Sequence, residues 1–135
     1  MFKEYKFLLD SIGSEDYWSD VGIDIAASKV SQFDSSSWNE LESAVLAKSD
    51  AWRGRCAESL GDSDNEGALR VLLMLLKTGE ESVVIHAIES IESVFLAGCI
   101  SDRVQVIRAL DDIIEAESKT SKLMAVTLVR KLSGE

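Results

Sequence analysis

The segment Trp52-Arg53-Gly54-Arg55-Cys56-Ala57-Glu58-Ser59-Leu60-Gly61 contains the pattern that decides the fold. Its residues Trp52, Cys56 and Leu60 follow one another at every fourth position, so they lie along one face of a helix. The same spacing recurs at Val83, Ala87 and Ile91, and more weakly at Met124, Leu128 and Leu132. The three segments begin 31 and 41 residues apart, which leaves room for one further helix between successive copies. Repetition at this distance indicates stacked helix pairs.

Start and stop signals divide the chain into about eight helices. Ser49 and Asp50 stand before the Trp52 segment as N-terminal caps, and Gly61 and Gly98 mark helix ends. No segment alternates apolar and polar residues over the length of a strand, so we predict no sheet. Short connections between helices favour antiparallel neighbours. The predicted fold is therefore all-α, a short right-handed α-solenoid of about eight antiparallel helices.

The repeated pattern begins only after the first third of the chain. We therefore divide a single helical domain, residues 1–135, into N-terminal capping helices (1–49) and a series of helix pairs (50–135). The capping helices carry no copy of the Trp52 pattern. Whether they pack as part of the same stack is left open by the sequence.

Two local expectations concern the capping helices. In the second helix, Val21 and Ile25 are expected to face the core, with Gly22 as a weak point between them because glycine disfavours a helix interior. Ser37 and Glu40 have the spacing of a capping box, in which each side chain bonds to the backbone N–H of the other residue. This spacing predicts that the third helix starts at Ser37.

The composition is that of one soluble globular domain. The chain has 135 residues, of which 46% are hydrophobic and 28% charged. The longest apolar run, Val71 to Leu76, is far shorter than the roughly 18 residues needed to cross a bilayer. The residues after Met1 lack the apolar segment of a secretory signal, and Cys56 and Cys99 fit buried free thiols. We expect a cytoplasmic protein without membrane contact.

Negative charge dominates and is concentrated in the first half of the chain. The net charge is −10; residues 1–66 hold 14 acidic and 6 basic side chains, and residues 67–135 hold 10 and 8. Polyphosphate would be repelled by such a chain, so nucleic acid is excluded as a direct ligand. An acidic surface instead accelerates the encounter with a basic protein. The alternative interpretation is that the charge only keeps the protein soluble.

The sequence offers no constellation for catalysis, for a metal ion or for a cofactor. His86 is the only histidine, so no second imidazole is available for a metal site. The glycines at 61 and 67 are not followed by the lysine and hydroxyl residue of a phosphate loop. Asp111 and Glu115 form a like-charge pair on one helix face, which suits either a basic partner or bulk solvent.

The residues from Asp50 to about Leu132 resemble the HEAT and armadillo families of α-helical repeats. The first helix of such a repeat carries a Val-Arg-x-x-Ala-x-x-x-Leu-Gly pattern, and this chain matches it in Arg53, Leu60 and Gly61. The copy at Val83 lacks the arginine and the glycine. The resemblance implies recognition of another protein through the second helices of the pairs. It implies no catalytic residues.

A small, acidic, single-domain chain of this kind also resembles bacterial toxin immunity proteins of the contact-dependent inhibition type. That resemblance implies a protein that binds and neutralises a basic toxin domain, expected to be a nuclease. The alternative is a helical-repeat adaptor or a subunit of a larger assembly. For either partner we predict binding by acids, with Trp18 as an aromatic anchor. The predicted partner-binding residues are Asp16, Trp18, Asp20, Asp24, Asp62, Asp64, Glu89, Asp111, Asp112 and Glu115.

Overall fold

The computed structural model describes residues 1–100, 102–115 and 120–134. Within them the chain folds into eight helices without any strand, which confirms the prediction of an all-α fold. The helices are α1 (Phe2–Ser11), α2 (Glu15–Tyr17, continued by a π-helical turn at Trp18–Gly22 and by Ile23–Val30), α3 (Ser35–Ala44, followed by a 3-10 turn at Val45–Ala47), α4 (Asp50–Ser59), α5 (Glu66–Leu75), α6 (Glu81–Leu96), α7 (Arg103–Ile114) and α8 (Thr120–Leu132). None of these helices is both long and apolar enough to cross a membrane.

The repeated apolar residues lie in the core, on helices that contact one another. The buried members are Trp52, Cys56 and Leu60 in and after α4, Val83, Ala87 and Ile91 on α6, and Leu128 and Leu132 on α8, while Met124 is partly covered. α4 packs against α6, and α6 packs against α8. The pattern that recurs along the chain thus marks three helices that are neighbours in space.

The N-terminal helices belong to the same packing. α2 contacts α4, so it precedes α4, α6 and α8 as a further helix in that succession. α1 contacts α2, α3 and α4, and α3 contacts α5. The residues before position 50 therefore share one core with the helices that carry the repeated pattern.

Polar contacts align α6 with α8. Near the start of both helices, Glu81 accepts hydrogen bonds from the backbone N–H of Ser121 at 2.9 Å and from its hydroxyl at 3.0 Å. Near their ends, Lys131 donates to Glu92 at 3.0 Å. The two helices are therefore tied start to start and end to end.

One predicted helix cap is confirmed by the structure, and the prediction of another is wrong. The hydroxyl of Ser49 accepts a hydrogen bond from the backbone N–H of Trp52, as expected for the start of α4. The capping box of Ser37 and Glu40 is not formed. Instead Asp34 caps α3, because its carboxylate accepts from both the backbone N–H (2.8 Å) and the hydroxyl (3.0 Å) of Ser37. A charged acceptor that satisfies two donors outcompetes a serine hydroxyl at this end.

The core face of α2 differs from the predicted one. Val21, which we expected in the core, is 42% exposed, and Ile25 is only partly buried. The buried residues of α2 are Trp18, Gly22, Ala26 and Val30. A Cβ atom on Gly22 would lie 2.7 Å from the indole of Trp18, so the ring occupies the space that the missing side chain leaves. Two bulky residues, Trp18 and Val30, do lie on this face, but between them it is formed by Gly22 and Ala26 and not by Val21 and Ile25.

Aromatic rings join α1 to α4 and to the connection between α2 and α3. The ring of Tyr5 packs edge-on against those of Phe33 at 5.3 Å and Trp52 at 6.1 Å, measured between centroids. Its hydroxyl lies 2.6 Å from the hydroxyl of Ser59, which in turn donates to the carbonyl oxygen of Cys56. Edge-to-face pairs of this kind add to the stability gained from burial.

We predict that Gly67→Ala destabilises the fold. A Cβ atom at Gly67 would lie 2.6 Å from the indole of Trp38, which is 3% exposed and has no free space to move into. Overpacking of this kind costs about 1–3 kcal/mol, more than the helix propensity that alanine restores. The free energy of unfolding in urea measures the loss.

Gly13→Ala is the matched control for this substitution. A Cβ atom at Gly13 meets nothing within 4 Å, and its φ is outside the left-handed region. We expect no loss of stability there. Equal effects of the two alanines would contradict the close contact between Gly67 and Trp38.

Candidate functional site

The nine acids predicted to bind a partner are exposed, and none of their side chains forms an ion pair or a hydrogen bond with the residues that the structure describes. They are Asp16, Asp20, Asp24, Asp62, Asp64, Glu89, Asp111, Asp112 and Glu115. Other acids serve the fold, as helix caps or in ion pairs, among them Asp34, Asp50, Glu58 and Glu80. The predicted set therefore carries charge that the described structure does not use internally.

The structure distributes the nine acids over several surfaces. Three lie on α2, two in the loop after α4, one on α6 and three at the C-terminal end of α7. The loop after α4 abuts α6, since a Cβ atom on Gly61 would lie 3.2 Å from the hydroxyl of Ser90. Asp62 follows Gly61 and Glu89 precedes Ser90, so these two acids lie on elements that touch each other. The acids of α7 lie apart from them, because α7 packs mainly against α8.

Trp18 is not an exposed anchor, so this part of the prediction is wrong. Its side chain is fully buried, and its Nε1 donates to Glu58 on α4 at 3.3 Å. The guanidinium of Arg55 lies over the same ring, 5.5 Å from the centroid. The neighbouring Tyr17, which is 48% exposed, is the aromatic side chain of α2 that reaches solvent. The sequence could not decide between the two, because they are adjacent.

Arg55 is a structural residue that the sequence analysis missed. It is 9% exposed, and its Nη1 donates to the carbonyl oxygens of Leu9 and Ile12 at the C-terminal end of α1. Its Nη2 donates to Glu15 on α2 at 2.9 Å. A cation is favourable at this end of a helix, where carbonyl groups lack partners. The sequence feature that could have indicated this role is the position of Arg55 next to Cys56, which was expected to be buried.

Arg53, the residue that matches the HEAT pattern, acts in a similar way. Its guanidinium donates to the carbonyl oxygens of Val45, at 3.2 Å, and of Leu46 in the turn that follows α3. Its contact with Asp50 is longer, at 3.5 Å. Both arginines of α4 therefore satisfy the ends of preceding helices and are not available to a ligand.

A partly exposed polar contact connects three helices, α2, α4 and α6. Glu58 on α4 accepts the hydrogen bond from Trp18 on α2, and its Oε1 lies 3.7 Å from Nε2 of His86 on α6. About a third of the His86 side chain is exposed, 34% by area, as expected for a residue at the edge of a packed face. This contact supports the packing of α2, α4 and α6.

A groove between α6 and α8 joins apolar side chains to one of the predicted acids. It encloses about 240 Å³ and is lined by Ile88, Glu89, Glu92, Leu123, Met124 and Thr127. Leu123 is 71% exposed, although it lies beside this depression. The groove thus offers apolar area and negative charge within one contact surface.

A second groove separates α5 from α7. It encloses about 450 Å³ and is lined by Leu73, Lys77, Asp102, Val104, Gln105, Arg108, Ala109 and Asp112. It contains one predicted acid, Asp112, together with two cationic side chains. Because its charges are mixed, this groove has no evident preference for a ligand of either sign.

Hydrogen bonds and burial shift the pKa values of several described groups. The carboxyl groups of Glu4, Asp34 and Glu80 have lowered pKa values, because hydrogen bonds stabilise their charged forms. Burial raises the pKa of the Cys56 thiol to about 12, so it is a poor nucleophile at neutral pH. Among the residues that the structure describes, no group of three or more His, Cys, Asp or Glu side chains could hold a metal ion.

We predict that Arg55→Ala lowers stability by about 2 kcal/mol, since it leaves buried carbonyl groups without donors. Glu15→Gln removes only the ion pair, whose carboxylate is 77% exposed, and should cost less than about 0.5 kcal/mol. Urea denaturation of both variants measures the difference. Equal losses would mean that the ion pair, and not the carbonyl contacts, is what Arg55 contributes.

We predict that Cys56 makes the protein sensitive to alkaline pH. Its thiol has a folded-state pKa of about 12, whereas an unfolded thiol titrates near ~8.5. The contribution is fully present below the unfolded value and is lost as the pH rises towards the folded one, because only the unfolded chain ionises between them. The free energy of unfolding, measured under a reductant from about pH 8 to about pH 11, should fall more steeply than in Cys56→Ala. Parallel curves would contradict this assignment.

The comparisons with known proteins add no functional assignment to this geometry. No family model matches the chain, and neither do curated proteins or solved structures. What the surfaces can bind follows from their shape, apolar area and charge.

Proposed function

We propose that this chain is a non-enzymatic, cytoplasmic protein that binds a basic protein domain through its acidic surface. The nine exposed acids carry this proposal, because they have no partner among the described residues and so keep their charge available. A basic domain would be attracted over several ångströms before contact, which raises its association rate. Nucleic acid would be repelled by the same field.

The proposed architecture is a short right-handed α-solenoid of the HEAT or armadillo kind. The succession of contacts from α2 through α4 and α6 to α8 supports it, as does the alignment of α6 with α8 at both ends. Stacks of this kind present extended surfaces for proteins. In this arrangement Glu89 lies in the groove between α6 and α8, and the loop after α4 lies against α6 at Ser90.

We propose further that the partner is a bacterial toxin domain and that this chain is its immunity protein. In the most specific form of this proposal, the toxin domain is a nuclease. An enzyme that acts on nucleic acid has a basic surface for its substrate. A protein with net charge −10 can cover such a surface by complementary charge. This assignment needs no catalytic group in the inhibitor itself.

The second proposal is an adaptor or a subunit of a larger assembly. Large apolar side chains exposed on several elements favour it: Phe7 is 73% exposed, Leu96 70% and Val104 58%. An assembly would cover side chains of this kind. They lie on three different helices, α1, α6 and α7.

The test uses the product of the reading frame immediately upstream of the gene. We predict that its basic domain binds this chain, and that raising NaCl from about 50 mM to about 500 mM lowers the association rate at least about tenfold. The double variant Asp62→Asn, Glu89→Gln should associate several-fold more slowly. Stopped-flow or surface-based kinetics measure both effects.

Asp111→Asn, Asp112→Asn is the matched control, with the same change of two charges on α7. We expect a smaller effect there, because Asp112 lies near the first turn of α6, whereas Asp62 and Glu89 lie near Ser90, further along that helix. Tight binding at a rate independent of salt would contradict the electrostatic proposal. An upstream product that does not bind, combined with a native complex of high mass, would favour the adaptor.

A further inference from the structure

The groove between α6 and α8 has an apolar lining and a leucine that packing has left uncovered. Ile88 is 2% exposed and Met124 is partly covered, whereas Leu123 is 71% exposed. These residues and Thr127 line a volume of about 240 Å³. Covering exposed apolar area is favourable, by roughly 25 cal/mol per Å². A side chain with an apolar stem would therefore gain from lying here.

The charges along the groove are not equivalent. Glu89 is exposed and has no ion-pair partner among the described residues. Glu92 is held by Lys131 at 3.0 Å, and both of these side chains are partly exposed. A cation that enters the groove therefore meets one available carboxylate, while a second is occupied by a lysine.

We propose that this groove binds an arginine side chain of the basic partner. The methylene stem lies on Leu123 and Met124, and the guanidinium bonds to the carboxylate of Glu89. This inference rests on the proposed function, since it specifies how the basic partner is recognised.

Arginine fits the groove better than the other side chains. Its stem covers apolar area while its charge remains hydrated at the edge. The planar guanidinium can bond to both oxygens of a carboxylate, which an ammonium group cannot do in the same geometry. A carboxylate would be repelled by Glu89, and a purely apolar side chain would make no use of its charge.

The experiment observes the groove directly with the peptide acetyl-Gly-Arg-Gly-amide. The chain contains three methionines, Met1, Met74 and Met124, and only the last lines this groove. With ¹³C-methyl-labelled methionine, we expect titration to shift the Met124 signal and to leave the Met74 signal unchanged. The same peptide with citrulline, which is neutral and of the same shape, should produce a much smaller shift.

Variants of the two charges should act in opposite directions. Glu89→Gln should weaken the arginine peptide roughly two- to fivefold, as expected for an exposed ion pair. Lys131→Ala should strengthen it, because it frees Glu92 and removes a competing cation. A gain of affinity cannot come from damage to the fold. Glu40→Gln, at an exposed acid of α3 outside the proposed binding set, should leave the affinity unchanged.

Several results would overturn the arginine site. They are an equal response to the citrulline peptide, wild-type affinity in Glu89→Gln, and a Met124 signal that stays unmoved up to the solubility limit of the peptide. A basic protein that binds tightly and still leaves Met124 unmoved would also overturn it. That last result would leave the proposed function standing, so the two failures are distinguishable.

Discussion

The burial of α4 on nearly every side is the constraint on which the rest of the structure depends. This helix contacts α1, α2, α5 and α6, and seven of the residues from 50 to 60, Trp52 among them, are buried. A helix in this position cannot carry large apolar residues all round, because its neighbours must approach closely. The close approach is possible because small residues, Gly54, Ala57 and Ser59, lie on this helix. Its buried polar side chains must then form hydrogen bonds inside the protein. Ser59 does so with Tyr5, and Arg55 does so with α1.

Local sequence patterns were sufficient to predict the helices but not which helices pack against one another. The every-fourth-residue spacing of Trp52, Cys56 and Leu60 depends only on helix geometry, so it predicted a buried face correctly. The contact of Trp18 with Glu58 joins residues 40 apart and could not be read from either segment. The same holds for the groove at Glu89, which exists only because α6 and α8 are aligned. For the candidate site, the sequence therefore predicted exposed acids but not the apolar surface beside one of them.

The acids divide into those that hold the fold and those that face solvent. Asp34 and Glu80 cap helices, and hydrogen bonds lower their pKa values. Glu58 and Glu92 connect neighbouring helices. The remaining acids raise the repulsion within the chain, a cost that a basic partner would remove on binding. Binding of the proposed partner would therefore stabilise the fold through charge alone.

The hydrogen bonds from Glu81 to the start of α8 also bear on the order of folding. The first turn of a helix has backbone N–H groups that need acceptors, and here an acceptor for Ser121 comes from a helix 40 residues earlier in the chain. Helix nucleation is unfavourable because the first turn fixes several residues for a single hydrogen bond, and an acceptor supplied by another helix offsets part of that cost. α8 is therefore expected to form on an α6 that already exists, so the C-terminal helix is added to a preformed template. During synthesis this order matches the order in which the ribosome delivers the two helices.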